Sequence, residues 1–187
     1  MLRYILLGLL SYRPMSGYDL EGQIKVSTGN FWHAKLSQIY ATLKRLEEEG
    51  GVVSHIDPQE GRPDRRVYQI MEAGREELRV WLAEPVTEHE VKKDGLLVKV
   101  FFHPPEDKES LLAQLRIQLQ LHRSKLAEYR QESPEAIQHM IAEQPELASN
   151  AVLWEATRRF GEMYEITYIQ WLEDTILTVE NRLPSTT

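Results

Sequence analysis

With 187 residues, 42% of them hydrophobic and 27% charged, the chain has the size and composition of a soluble globular protein with room for one large core, or for a small domain and an appendage. It contains no cysteine, which excludes disulfides and thiolate chemistry. The formal charge of -7 is unevenly placed: residues 1–80 carry 11 Lys+Arg against 11 Asp+Glu, and residues 81–187 carry 11 against 18. Net acidity repels nucleic acid at long range. The balanced first half can still contact it locally, and the asymmetry points to two halves with different roles. No apolar run approaches the roughly 18–20 residues of a membrane span. The opening "MLRYILLGLL" has one basic residue and no small-residue cleavage site after it, so a cytoplasmic protein without a membrane partner is expected.

Leu2 to Leu10 reads as a short helix, apolar on nearly all sides and therefore buried. Pro14 ends it, and Ser16 is placed to cap a second helix from Gly17 to Val26, with Tyr18, Leu20 and Ile24 toward the core. "STGN", Ser27 to Asn30, is a turn. "LSQIYATLKRLEEEG", Leu36 to Gly50, forms a third helix that Gly50-Gly51 closes, because Gly accepts the left-handed C′ position. Val52–Ile56 and Arg65–Ile70 are β-rich runs around the turn-forming "DPQEGRPD", which gives a two-stranded hairpin with a long charged tip. Met71 to Leu82 is a fourth helix, and Pro85 to Glu90 is a hinge between domains 1–84 and 85–187.

Asp94 to Phe102 predicts a short apolar helix. Pro104-Pro105 then starts a long one, Glu106 to Glu132, in which Leu112, Leu119 and Leu126 alternate with Leu115, His122 and Tyr129 as a heptad seam. Ser133-Pro134 reads as a cap followed by Pro at the first helical position, opening a short helix that Pro145 breaks. A last helix, Glu146 to Arg182, carries Ile169, Leu172, Ile176, Val179 and Leu183 at the same spacing. Two such helices form an antiparallel hairpin or exchange between chains. The fold class is mainly α with a small β-hairpin.

At 100° per residue, Leu36, Ile39, Leu43 and Leu46 of the third helix share one face, with Tyr40 beside them. Ser37, Gln38, Ala41 and Arg45 point the other way, flanked by Thr42 and Lys44. A polar helix face is ordinarily just solvated. This one also suits a DNA major groove. Gln can bond an adenine edge twice, Ser reaches bases or phosphate, Lys and Arg meet guanine or phosphate, and Ala41 keeps the face thin. The hairpin tip and second strand add Arg62, Arg65 and Arg66, placed to lie along the backbone or in a minor groove. Three helices followed by a basic hairpin is the winged helix-turn-helix order.

Three stretches, "ILLGLLSYRPMSGYDLEGQI" from Ile5, "LSQIYATLKRLEEEG" from Leu36 and "GRPDRRVYQIMEAGREELRVWL" from Gly61, resemble the PadR-like transcriptional regulators in order and spacing. "LLVKVFF" and "RFGEMYEITYIQWLED" from Arg159 more loosely resemble the virulence-activator type of C-terminal domain. The resemblance implies an N-terminal winged helix-turn-helix and a C-terminal long-helix dimerisation domain. It implies a homodimer that represses transcription from double-stranded DNA and often answers to a small molecule. Carried onto this chain, it puts Ser37, Gln38, Tyr40, Lys44 and Arg45 on the recognition helix and Arg62, Arg65 and Arg66 on the wing. Tyr18 falls near the phosphate backbone. The seam residues Leu112, Leu115, Leu119, His122, Leu126, Ile169, Leu172 and Ile176 fall at the dimer interface. Met71 departs from the pattern, standing where the family usually has a capping Thr, which questions the start of the fourth helix.

Other chemistry is thin. His33, His55, His89, His103, His122 and His139 form no metal-ligand spacing, so neither metal nor cofactor is expected. His122 on the seam is a hydrogen-bonded seam residue or an effector or pH contact. Glu47-Glu48-Glu49 spreads around its helix as a solvated end. No P-loop or nucleophile elbow is present, so no enzyme is expected. Among the C-terminal aromatics, Phe101, Phe102, Trp154 and Tyr164 are core residues or the lining of a pocket for a small aromatic or hydrophobic effector. A winged helix used purely as a protein-interaction module is the competing reading, favoured by the acidity and opposed by Lys44, Arg45 and the wing arginines.

Overall fold

A computed structural model describes residues 1–27, 32–58, 64–88 and 93–183. Arg62, His89, the Thr28–Asn30 part of the predicted turn, the centre of the hairpin tip and the end of the predicted hinge lie outside the described residues. The chain divides into two compact units, Met1–Glu88 and His89–Thr187.

The first unit runs α1 (Leu2–Tyr12), β1 (Met15–Ser16), α2 (Gly17–Ser27), α3 (Leu36–Glu48), β2 (Val52–Asp57), β3 (Arg65–Ile70) and α4 (Glu72–Ala83). Leu6, Leu7 and Leu10 of α1, Leu20 and Ile24 of α2, and Ile39, Leu43 and Leu46 of α3 fill its core, which is the burial that their helical spacing demands. Tyr18 departs from the expectation: it is 71% exposed, because α2 turns Leu20 and Ile24 inward instead. The predicted two-stranded hairpin is a three-stranded antiparallel sheet of order β1-β3-β2, since Met15 and Ser16 pair with Tyr68 and Val67.

Two helix ends explain how the sheet is placed. Ser16 and Asp19 exchange hydrogen bonds at the start of α2, the Ser16 N–H donating to the Asp19 carboxylate at 2.8 Å and the Asp19 N–H to Ser16 Oγ at 3.2 Å. At the end of α3, Gly50 takes φ +75°, while the Gly50 and Gly51 N–H groups donate to Glu47 O and Leu46 O at 3.1 and 2.8 Å. That is the glycine closure expected from the sequence, and it turns the chain straight into β2. The fourth helix starts at Glu72 without a capping side chain: the Met71 carbonyl accepts from Arg75 N–H, and Met71 N–H donates to Gly51 O at 2.9 Å. The missing Thr therefore leaves the helix start where it was expected.

The second unit runs α5 (Gly95–Phe102), a short 3-10 turn (Pro105–Asp107), α6 (Lys108–Arg130), α7 (Glu132–Glu143), a second 3-10 turn (Pro145–Leu147) and α8 (Ala151–Arg182). Ser133 and Pro134 lie inside the first turn of α7 and do not cap it; the Ser133 hydroxyl donates to Glu128 O of the preceding helix at 3.3 Å. α6 and α8 pack antiparallel, as the pairs Arg116–Glu180, Arg123–Glu173 and Arg130–Glu162 show.

The heptad seam closes within the chain. Leu112, Leu115, Leu119, Ile169 and Leu172 form one buried cluster, with Leu126 and Ile176 packed against it, and Leu115 and Leu172 are 0% exposed. Within one chain these side chains already fill each other's holes, so the helix pair buries the seam without a second copy. His122 lies beside the cluster, its Nδ1 hydrogen-bonded to the Glu165 carboxylate and its ring stacked on Tyr168 at 4.0 Å. Tyr168 in turn donates its hydroxyl to Asp94, the N-cap of α5, at 2.7 Å.

Candidate nucleic-acid interface

The outward face of α3 is assembled by the core beneath it. With Ile39, Leu43 and Leu46 buried, the 3.6-residue repeat leaves Ser37, Gln38, Ala41, Lys44 and Arg45 in solvent. Tyr40, on the edge of that face, is fixed by a close approach. A Cβ added at Gly17 would stand 2.5 Å from Tyr40 Cε1 and 2.7 Å from its Cζ, so the ring lies on the bare backbone where α2 begins. A side chain at position 17 would push that ring aside.

The polar groups of this face are not equally free. Lys35 is the N-cap of α3, and a lysine side chain has no acceptor to offer the first turn. The gap is closed from the other side: Gln38 Oε1 accepts the Lys35 N–H at 2.9 Å. The Thr42 hydroxyl is engaged too, donating to Gln38 O at 2.8 Å. Lys44 approaches Glu48 at 3.7 Å one turn on. Arg45 forms no ion pair among the described residues.

The two wing arginines among the described residues, Arg65 and Arg66, are paired. Because β1 joins β3, the start of α2 lies beside the wing strand, and Arg65 meets the Asp19 carboxylate. Burial pushes the Asp19 pKa up, but hydrogen bonds from Ser16 and the Arg65 guanidinium outweigh it and hold the carboxyl below its ordinary range. Arg66 donates to Ser54 Oγ and to Glu47, each at 2.8 Å, and lies over the Tyr68 ring at 5.5 Å. The Ser54 hydroxyl, then Arg66, hold the Glu47 pKa below the usual carboxylate range. Both arginines remain about half exposed, so their guanidinium groups can meet a phosphate without leaving their carboxylates. Asp19 and Ser54 escaped the sequence reading, and Glu47, expected at a solvated helix end, is instead held by Ser54 and Arg66. The Ser16–Asp19 spacing could have revealed the first as a capping partner; Glu47 carries no such signal, because its role depends on strand register.

The four aromatics proposed for an effector do not converge. Phe101 and Phe102 are 81% and 76% exposed and meet each other edge-on at 4.9 Å. Trp154 and Tyr164 are half-buried on α8, about 15 Å apart along the helix. Tyr164 lies against Tyr168. Phe102 lines a shallow depression of about 370 Å³ with Val98, Lys99, His103, Pro104 and Gln114. Among the described residues no group of His, Asp and Glu is placed to hold a metal ion, and no helix is long and apolar enough to cross a membrane.

Comparison with known proteins agrees with this architecture. Residues 6–80 match the transcriptional regulator PadR-like family, and residues 92–180 match the virulence activator alpha C-terminal family. Ahead of a domain of the virulence-activator C-terminal type, the chain carries a domain of the PadR-like family of transcriptional regulators. This is a family of transcriptional regulators, not of enzymes. The chain is 29% identical over 182 residues to the negative transcriptional regulator PadR of Bacillus subtilis, a match spanning 96% of this chain and 97% of that one. It superposes on the crystal structure of B. subtilis PadR in complex with operator DNA with a TM-score of 0.78, at 27% identity, over 95% of this chain and 98% of that chain. The complex of the same protein with p-coumaric acid gives a TM-score of 0.71, at 27% identity, over 96% and 99%.

Proposed function

We propose that this PadR-like protein is a cytoplasmic, sequence-specific DNA-binding regulator that represses transcription as a homodimer, binding without catalysis. The observation that carries the reading is the outward face of α3. Ser37 and Ala41 are small enough to let the helix backbone approach base edges, and the cations of Lys35, Lys44 and Arg45 surround them. Arg65 and Arg66 of the wing, with Arg62 and Tyr18, are assigned to the phosphate backbone. The operator complex of B. subtilis PadR supports this assignment, and the negative regulation in that relative's name supports repression.

The second copy is assigned to the C-terminal unit, on the side chains its own core leaves bare. Val152, Phe160 and Met163 are exposed at helical spacing on one stripe of α8, with Leu153 beside it. A stripe of large exposed apolar residues marks an interaction surface. The p-coumaric acid complex of the relative supports a small aromatic effector here as well. The depression beside Phe102, with Lys99 at its edge, is the place we assign to it.

Selection from a random duplex library tests the reading. The expected product is an inverted repeat, with half-site centres about one helical turn, roughly 34–36 Å, apart. Recovery of no consensus, or of a single half-site bound by one copy, would overturn it.

A further inference from the structure

We infer that Gln38 is a positioning residue: it holds the start of the recognition helix through its hydrogen bond to the Lys35 N–H and does not read a base. The inference rests on the DNA-binding reading and refines it. In the sequence, Gln38 is the most attractive base reader of the face, because its amide matches the adenine N6/N7 edge with one acceptor and one donor. The structure places that acceptor elsewhere. Gln38 is the third helical residue, and its Oε1 folds back to the N-cap N–H at 2.9 Å. This is the reciprocal half of a capping box.

The other half is missing for a chemical reason. The N-cap is Lys35, in extended backbone at φ -78° and ψ 148°, and its ammonium cannot accept a hydrogen bond from the first turn. Among the described residues, Gln38 is the side chain that bonds this terminus. Pairing with adenine would pull Oε1 outward and leave the Lys35 N–H without its partner. The Gln38 carbonyl also accepts from Thr42 Oγ1 at 2.8 Å, which ties the same residue into the next turn. Base reading then falls to the groups of the face that carry no such duty, Ser37 and Arg45.

Two substitutions separate the roles. Gln38→Glu keeps the acceptor for the Lys35 N–H and removes the donor that adenine N7 needs. Gln38→Ala removes both. Each variant is measured for thermal stability and for affinity across a panel of duplexes carrying every single-base change in the selected site. If Gln38 positions the helix, Gln38→Ala lowers the melting temperature and weakens all duplexes by about the same factor, around fivefold, the equivalent of about 1 kcal/mol. Gln38→Glu keeps the melting temperature and leaves the rank order of duplexes unchanged, its added charge lowering every affinity together. Installing a capping side chain by Lys35→Ser should shrink the penalty of Gln38→Ala. A changed preference at one base position in Gln38→Glu overturns the inference, and so does an unaltered melting temperature in Gln38→Ala. Absence of sequence preference in the parent protein would instead count against the DNA-binding reading, while the melting temperatures would still decide the cap.

Discussion

Replacing Gly74 by alanine should destabilise the DNA-binding unit, although the same change in an ordinary helix would stabilise it. Gly74 lies in the first turn of α4, where a Cβ would stand 2.2 Å from Gly51 O and 3.0 Å from both Gly51 C and Leu7 Cδ2. That is roughly an ångström inside ordinary contact. Gly51 has no room to retreat, because its N–H closes α3 on Leu46 O at 2.8 Å and its carbonyl accepts the Met71 N–H at 2.9 Å. Overpacking of this kind costs about 1–3 kcal/mol, and each of the two hydrogen bonds it distorts contributes about 1 kcal/mol. Against this, alanine gains at most about 1 kcal/mol of helix propensity. The net expectation is a loss of about 2–3 kcal/mol, read as a drop of about 1 M in the urea midpoint by circular dichroism. DNA affinity should fall as well, since Gly51 sets the angle between α3 and the wing. An unchanged or raised midpoint would show that α4 can slide away at no cost, and the packing argument would fail.

Three further expectations follow from buried or paired groups. The Asp19 and Glu47 carboxyls are held below their ordinary values of 3.8 and 4.5, so their contribution to stability is fully present above about pH 5 and is lost as pH falls through their depressed values. Urea midpoints should therefore be flat from pH 8 to 5.5 and fall toward pH 3, and Asp19→Asn with Glu47→Gln should flatten that fall; an equal slope in the double variant would contradict it. His122→Leu strands Glu165, which is 7% exposed, without its partner and should cost about 3 kcal/mol, whereas adding Glu165→Leu should recover most of it. Equal melting temperatures for the parent and His122→Leu would remove that idea. Gly161→Ala drives a Cβ to 2.2 Å from the Tyr129 Cζ and hydroxyl, so the α6–α8 pair should loosen and the melting temperature drop, against the helix-propensity gain of about 1 kcal/mol.

What the sequence reveals and what it hides divide along physical lines. Local signals were legible. The alternation of Ile39, Leu43 and Leu46 with Ser37, Ala41 and Arg45 oriented α3, and Gly50 marked its end. The β-rich runs around a turn-dense segment gave the wing. β1 was not legible, because two residues carry no period. Its absence hid the pairing of Arg65 with Asp19, which exists only because β1 brings α2 to the wing strand. The leucine seam announced a buried face, but a heptad pattern is silent on whose helix buries it, and here it is the same chain's. Gln38 shows the same limit more sharply: side-chain type alone suggested a base reader, while the lysine before the helix makes it a cap.

On this reading α3 carries DNA-reading chemistry on a protein of net charge -7. Fluorescence anisotropy with duplex DNA from upstream of the protein's own gene, at two salt concentrations, tests it most directly, with Arg45→Ala alongside. Saturable binding should weaken steeply with salt, and Arg45→Ala should lose affinity, with a salt slope shallower by about 0.9 if Arg45 meets a phosphate, or with relaxed preference at one position if it meets a base. Binding that ignores salt and Arg45, or no binding at the lower salt, would contradict the account.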